Sequence, residues 1–232
     1  MGLLSVVKSF GFSILGFVRT PPMACDVERD SAFDELLEGV LQNNLETIPY
    51  TLPYPKHEFL IHLSKKDKYL MHGSPQGDIR VFEPRAQTTF YGKQVKAVFA
   101  SSDGIWSMFF AILDRTLLSQ YRNGCFSVDK NSAIRNRYFF SVPAGMLERN
   151  PWVHGFVYVL PELGFKQSDT PNEWICPQSV VPLTKLHVIH SDFPFLARIT
   201  EYKPTNSMLK FFVRNAIRSH TMKTQKRSGG CP

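Results

Sequence analysis

Apolar residues lead up to a single histidine in the stretch Lys68-Tyr69-Leu70-Met71-His72-Gly73-Ser74-Pro75. The three residues before the histidine are typical of a short buried strand, and the Gly-Ser-Pro that follows favours a turn. The imidazole of His72 would then stand at a strand end, beside a backbone that a ligand can approach closely because Gly73 has no side chain. The alternative is that His72 is a hydrogen-bonded structural residue.

Two later stretches extend this pattern. The run Gly92-Lys93-Gln94-Val95-Lys96-Ala97-Val98-Phe99-Ala100-Ser101-Ser102-Asp103 predicts a strand that leads into an apolar helix. Much later the chain contains Asn172-Glu173-Trp174-Ile175-Cys176, followed by a second β-rich run over 180–188. Glutamate is disfavoured in strands, which singles out Glu173 beside Trp174. The alternative is that Glu173 lies at a rim, in a solvated ion pair.

This order of motifs resembles the ADP-ribosyltransferase superfamily, in particular its diphtheria-toxin and poly(ADP-ribose) polymerase branch. In that family a "His-Gly-Ser/Thr" strand, a "Gly-Lys-Gly-x-Tyr-Phe-Ala" strand and a late "Glu-Tyr/Trp" strand form the NAD cleft. The likeness covers about residues 66–190. It implies an α+β fold, with split antiparallel β-sheets, a central NAD cleft and flanking helices.

The resemblance also implies roles for individual residues. His72 would hydrogen-bond the adenosine-side ribose, the backbone of Gly73 would pair with the nicotinamide amide, and Ser74 completes the first motif at the cofactor. The nicotinamide–ribose bond of NAD breaks through an oxocarbenium-like state, so negative charge must lie beside the developing cation. The resemblance assigns this task to Glu173, which would also hydrogen-bond the 2′-OH of the nicotinamide ribose.

A buried helix is predicted from Gly104 to about Ser119, with Asp103 as its N-cap. For most of its apolar residues the core of the protein is a sufficient explanation. In the family, the helix after the second strand supplies a serine that bonds the carboxamide and an aromatic ring that stacks on nicotinamide. Ser107 and Phe110 are the matching candidates here.

The second motif departs from the family, because Val98 stands where the polymerase branch has a nicotinamide-stacking tyrosine. Stacking would then fall to Phe110, or to Phe90 or Tyr91 in the preceding loop.

Two functions follow from the resemblance. The first is an NAD-dependent ADP-ribosyltransferase or NAD glycohydrolase, which passes ADP-ribose to a macromolecular acceptor (protein or nucleic acid) or to water. The second is a non-catalytic module that binds ADP-ribose-type ligands or nucleic acid. The segments 85–96 and 143–154 are the predicted carriers of acceptor choice, and Arg135 and Arg137 are candidates to meet a phosphate.

The remaining pattern predicts one helical layer and many short strands. A helix over 31–43 has Ser31 as its cap, and Pro53 and Pro55 mark a linker before a first strand at about 58–63. Further strands are predicted at 125–128, 138–142, 156–160, 174–176 and 181–189. This combination favours an α+β fold of two packed sheets with a cleft between them.

Composition divides the chain into four parts. With 43% hydrophobic and 13% aromatic residues the chain is globular and not disordered. We assign residues 1–25 to an apolar N-terminal segment, 26–65 to a helical lead-in, 66–200 to an ADP-ribosyltransferase-like domain and 201–232 to a basic helix and tail. The net charge of +7 equals the seven basic residues after position 201, where acidic residues are absent, so residues 1–201 carry no net charge.

The compartment is predicted from the cysteines and the N-terminus. The four cysteines are scattered, without CxxC or zinc spacing, which predicts no metal site and indicates free thiols in a cytoplasmic setting, with a disulfide as the alternative. Residues 1–25 leave secretion or membrane attachment open, although their apolar run is short for a membrane span.

The basic tail is predicted to be helical over 207–220. Its apolar residues recur at helical spacing, and Lys210, Arg214 and Arg218 form a cationic stripe. This stripe would contact nucleic acid or an anionic membrane. The alternative is a helix docked on the core with a solvated basic face.

Overall fold

The computed structural model of the chain describes residues 17–89, 92–127 and 136–203. The helices of these residues are α1 (Val27–Gln42), α2 (Lys56–Leu63) and α3 (Gly104–Ala111). The strands are, in chain order, β1 (Val18–Arg19), β2 (Tyr69–Ser74), β3 (Arg85–Thr88), β4 (Gln94–Ser101), β5 (Arg122–Ser127), β6 (Asn136–Pro143), β7 (Gly155–Pro161), β8 (Lys166–Gln167), β9 (Glu173–Cys176), β10 (Thr184–Val188) and β11 (Thr200–Tyr202). Single 3₁₀ turns lie at Leu147–Arg149, His190–Asp192 and Leu196–Arg198.

The strands form two sheets, so the predicted α+β class with two sheets is confirmed. The larger sheet has seven antiparallel strands in the order β10-β7-β2-β4-β9-β8, and β3 pairs with β4 as well. In the smaller sheet β1, β5 and β11 all pair with β6, and β11 runs parallel to it. The strands that carry the three motifs, β2, β4 and β9, are therefore neighbours in one sheet.

Helix α3 packs between the two sheets. On one side its backbone touches β2, since a Cβ on Gly73 would lie 1.8 Å from the carbonyl oxygen of Ser107. On the other side the Phe109 ring lies 4.6 Å from the Phe140 ring of β6. Residues of α1 and α2 belong to the same buried cluster as α3 and both sheets. The predicted lead-in segment therefore shares its core with the predicted domain.

A buried carboxylate ties the start of α3 to the smaller sheet. Asp103 is the N-cap of α3, as predicted, and accepts a hydrogen bond from the Trp106 amide at 2.7 Å. Its other oxygen accepts hydrogen bonds from the Tyr138 hydroxyl and the Asn136 side-chain amide, both at 2.6 Å. Burial of Asp103 raises the pKa of its carboxyl above the ordinary value, and these hydrogen bonds act against that rise.

Three local predictions require correction. The segment predicted as a first strand at 58–63 belongs to helix α2, because a short run of buried apolar residues carries no period that separates strand from helix. Helix α1 begins four residues before Ser31, and its N-cap is Asp26, which accepts from the Arg29 amide. Helix α3 ends at Ala111 and not near 119, because Leu113 forms a β-bridge with Trp152.

Three further findings concern the described residues. No helix among them is both long enough and apolar enough to cross a membrane. The described chain contains no group of three or more His, Cys, Asp or Glu placed to hold a metal ion. Cys25, Cys125 and Cys176 are free thiols. The predicted N-terminal segment up to residue 16 and the predicted tail helix with Lys210, Arg214 and Arg218 lie outside the described residues.

Candidate functional site

A cavity of about 950 Å³ opens where β2 and β4 separate. In the described chain the two strands share one register pair, Met71 with Ser101. Away from this pair β2 continues along β7, while β4 continues along β9 and β3. The volume lies near the upper end of the roughly 300–1,000 Å³ that is typical of small-molecule sites. The split between the strands therefore forms a space large enough for a nucleotide-sized ligand.

The cavity brings together most of the residues that the sequence singled out. Six predicted site residues line it: His72, Gly73, Ser74, Ser107, Phe110 and Glu173. Tyr91, the seventh, and its alternative Phe90 lie outside the described residues. The predicted acceptor segments also contribute, through Arg85, Gln87 and Thr88 from the first and through Val153 and His154 from the second.

The cavity is lined mainly by strands of the seven-stranded sheet, and the smaller sheet contributes Asn123 of β5. His72 and Glu173 both belong to the seven-stranded sheet. Glu173 is paired with Ser101 and so lies on the face of Met71, whereas the adjacent His72 projects from the other face. The two side chains border one cavity because the separation of β2 and β4 opens the sheet between these faces.

His72 spans the separation between the strands. Its Nδ1 lies 2.7 Å from the carbonyl oxygen of Phe99 in β4, and its ring centroid lies 4.7 Å from that of Phe82. A carbonyl oxygen can only accept, so Nδ1 carries the proton of this hydrogen bond. In the neutral imidazole Nε2 is then an acceptor, and no described residue donates to it. Nε2 is therefore suited to a hydroxyl donor such as a ribose hydroxyl.

The surroundings of His72 favour the neutral ring. Burial lowers the pKa of His72, and the guanidinium groups of Arg115 and Arg85 act in the same direction. The hydrogen bond to the Phe99 carbonyl acts in the opposite direction, but the net effect is a lowered pKa. At neutral pH His72 is thus a fixed hydrogen-bonding group and not a cation.

We expect this lowered pKa to make folding pH-dependent. Below about pH 6.5 the unfolded chain binds a proton at His72 that the folded chain does not bind, so stability falls as pH falls. The difference in free energy of unfolding between wild type and His72→Gln should shrink by up to about 1.4 kcal/mol per pH unit. Denaturant titrations of both proteins at pH 7.5, 6.5 and 5.5 measure this difference in the free energy of unfolding. His57 and His187, whose pKa values burial also lowers, are present in both proteins. A difference that is constant across this range would contradict the prediction.

Glu173 is the first residue of β9 and is 9% exposed. Glu173 pairs with Ser101 and Trp174 pairs with Ala100, and this pairing holds β9 against β4. The turn before it is closed by the bond from the Ser168 amide to the Glu173 carbonyl at 2.8 Å. Glu173 is accordingly a largely buried residue on a paired strand that borders the cavity, which suits its carboxylate to oppose a positive charge there.

Helix α3 presents Ser107 and Phe110 to the cavity. The Ser107 hydroxyl is within hydrogen-bond distance of the carbonyl oxygens of Met71 (3.2 Å) and Asp103 (3.1 Å). Its proton is therefore directed to the backbone, which leaves its oxygen to accept from a ligand. Phe110 is half-buried beside the rings of Trp106 and Tyr121, at 5.9 and 6.0 Å. Its placement is compatible with stacking on a flat ligand.

Gly73 and Ser74 have structural tasks in addition to lining the cavity. Because Gly73 has no side chain, the backbone of α3 can pack directly against it. From the sequence we expected a ligand to approach at this position. The Ser74 hydroxyl accepts a hydrogen bond from the Gln76 amide at 3.1 Å and so shapes the turn after β2. Val98 is 3% exposed and packs in an apolar cluster with Leu70 and Phe82.

Arg137 does not line this cavity. It lies in β6, is 6% exposed and is absent from the cavity lining, while Arg135 is outside the described residues. Burial lowers the pKa of Arg137, and Arg19 adds to this effect. The predicted phosphate contact of Arg137 therefore has no counterpart in the cavity.

The sequence did not single out several basic and aromatic residues that line the cavity or contact its lining as individual site residues. Arg115 follows α3, and its guanidinium lies 4.9 Å from the ring centroid of Tyr121 and 5.9 Å from that of Phe110. Arg85 begins β3, which lies in a segment predicted only as a loop. Trp106 donates to the Asn123 side chain at 2.6 Å and borders the same space. From the sequence Arg115 falls inside the helix predicted from Gly104 to about Ser119, so no local signal marks it as a site residue.

In comparisons with known proteins, no family model, no curated protein and no solved structure matches the chain.

Proposed function

We propose that this protein cleaves NAD at the nicotinamide–ribose bond and transfers ADP-ribose to a macromolecular acceptor or to water. One observation carries the proposal: β2, β4 and β9, the strands of the three motifs, are adjacent, and His72, Ser107, Phe110 and Glu173 line the cavity beside them. Residues separated by a hundred positions in the chain thus meet at one ligand-sized space.

The proposed reaction assigns each residue a separate part of NAD. The neutral His72 accepts a hydrogen bond from a hydroxyl of the adenosine ribose through Nε2. Ser107 accepts from the carboxamide, and Phe110 stacks on the nicotinamide ring. Together these contacts hold the two halves of the dinucleotide on either side of the bond that breaks, which lowers the entropic part of the barrier.

Glu173 acts on the bond itself. When the nicotinamide–ribose bond breaks, the electron pair of that bond moves to the nicotinamide ring nitrogen and neutralises the pyridinium. Positive charge then develops at the C1′ carbon of the ribose. The carboxylate opposes that charge and holds the 2′-OH. The acceptor or a water molecule then attacks C1′ and loses a proton.

Incubation of the protein with NAD, followed by chromatography for released nicotinamide, tests the proposal. We expect release above the rate without protein, and NAD should stabilise the fold, by about 2.7 kcal/mol at a hundred times its Kd. A folded protein that neither releases nicotinamide nor is stabilised by NAD would contradict the proposal.

A non-catalytic module that binds ADP-ribose-type ligands is the second candidate. It is favoured by Val98, which lines the cavity with an aliphatic side chain where the family pattern has a stacking tyrosine. This candidate predicts stabilisation by ADP-ribose without release of nicotinamide from NAD, so the same pair of measurements separates the two functions.

A further inference from the structure

Two arginines line the cavity from different elements. Arg85 comes from β3 and Arg115 from the turn after α3, and both line the cavity. Among the described residues neither guanidinium has an ion pair. Arg115 donates one hydrogen bond, to the Tyr121 hydroxyl. A guanidinium has five N–H donors, so both side chains keep most of their donors for a ligand.

The neighbouring acids are occupied by other donors. Glu83 accepts from the hydroxyl of Ser179, and Asp114 accepts from the backbone and hydroxyl of Thr116 at 2.8 and 2.6 Å. These bonds hold the carboxylates in the loops that follow β2 and α3. Both carboxylates keep their charge, but among the described residues neither forms an ion pair with Arg85 or Arg115, so the two guanidinium groups can still bind an anion that enters from solvent.

Arg115 is also held in place before any ligand binds. Its guanidinium lies over the Tyr121 ring at 4.9 Å, within the range of a cation–π contact, and the Tyr121 hydroxyl fixes its orientation. A planar group fixed in this way loses less conformational entropy when it binds a phosphate than a free side chain does.

His72 limits what kind of anion can bind. Its ring and the side chains of Arg85 and Arg115 all belong to residues that line the same cavity. The free Nε2 is an acceptor and cannot bind a deprotonated phosphate oxygen, whereas it can bind a sugar hydroxyl. A ligand that satisfies all three groups therefore carries an anionic group and a hydroxyl donor, as a nucleotide does with its phosphates and its ribose.

We propose that Arg85 and Arg115 bind the diphosphate of a nucleotide whose ribose bonds His72. The choice of an adenosine nucleotide rests on the proposed function, but the diphosphate site itself does not depend on cleavage of NAD. Guanidinium groups bind phosphate through paired, charge-assisted hydrogen bonds, which makes two arginines a suitable pair for two phosphates.

Calorimetric titration with ADP and with adenosine tests the site. In wild type we expect ADP to bind at least about tenfold more tightly than adenosine. Arg85→Gln and Arg115→Gln should each weaken ADP binding by about tenfold and leave adenosine binding unchanged. The double variant should bind the two compounds equally. The preference for ADP should also decrease as salt rises from 50 to 500 mM, because salt screens exposed charges.

Arg198→Gln is the matched control, since Arg198 is exposed, lies in the 3₁₀ turn at Leu196–Arg198 and is absent from the cavity lining. It should bind ADP as wild type does. Equal ADP binding by wild type and the double variant would overturn the proposal, and so would a parallel loss of ADP and adenosine binding. Arg115→Gln removes the contact with the Tyr121 ring, so thermal unfolding of this variant checks that it remains folded. Among the described residues Arg85 has no such contact, so the Arg85→Gln result does not depend on this check.

The outcome can be separated from that of the proposed function. Arginine-dependent ADP binding without release of nicotinamide would support the diphosphate site and refute NAD cleavage. Release of nicotinamide from NAD, together with ADP binding that does not depend on the two arginines, would support NAD cleavage and refute the diphosphate site.

Discussion

Glu173→Gln should slow the release of nicotinamide from NAD by about 10² to 10³-fold. Glutamine has nearly the same volume and can still accept a hydrogen bond from a ribose hydroxyl, but it carries no charge to oppose the developing cation. The loss should therefore fall on kcat, while the KM for NAD changes little, because the missing interaction is made mainly in the transition state. Initial rates of nicotinamide release over a range of NAD concentrations measure both constants.

Glu38→Gln serves as the control for this substitution. Glu38 is exposed in α1 and does not line the cavity, so its variant should retain the wild-type rate. Thermal unfolding of Glu173→Gln checks that the start of β9 remains folded. If the folded Glu173→Gln protein released nicotinamide at the wild-type rate, the carboxylate would not act at the reacting bond.

Gly73→Ala should cost about 3 kcal/mol or more of the free energy of unfolding. The new methyl group would lie 1.8 Å from the Ser107 carbonyl oxygen and 2.9 Å from the Ala111 amide nitrogen. Both atoms belong to the backbone of α3 and cannot rotate away, so the whole helix must move off the sheet. Gly155→Ala in β7 should have a similar effect, because its methyl group would lie 1.9 Å from the Ala111 carbonyl oxygen. Denaturant titration measures the loss as a lower midpoint.

Gly39→Ala provides the control for a glycine without such a contact. Gly39 lies inside α1, and no heavy atom stands within 4 Å of the position that its Cβ would take. Here alanine should stabilise the protein by roughly 0.5–1 kcal/mol, because it lowers the entropy of the unfolded chain and favours the helix. A Gly73→Ala protein as stable as wild type would show that α3 does not pack against β2 at this distance.

Features that depend on near neighbours in the chain were predictable. The N-cap at Asp103 was predicted because its carboxylate bonds the amide of Trp106, three residues away. The strand around Met71 and His72 was predicted from its apolar residues and the turn residues after it. Where a local pattern was ambiguous, as in the buried run that forms α2, the prediction of a strand was wrong.

The roles of single residues were harder to predict than their positions. Gly73 was singled out correctly as a special glycine, but the backbone that approaches it belongs to α3. Arg85 and Arg115 are exposed, and nothing in the neighbouring sequence distinguishes them from other surface arginines. Their significance comes from the elements that bring both to one cavity, β3 and the turn after α3.

The sequence by itself determined the α+β class, most of the strands, the capped start of α3 and six of the residues that line the cavity. Tertiary structure alone decided that β2 and β4 separate after one register pair, and that His72 and Glu173 reach one space from two faces of a single sheet. The physical reason is the range of the interactions. Capping, turns and apolar periodicity act over a few residues, whereas the pairing of β4 with β9 and the packing of α3 on Gly73 join segments far apart in the chain.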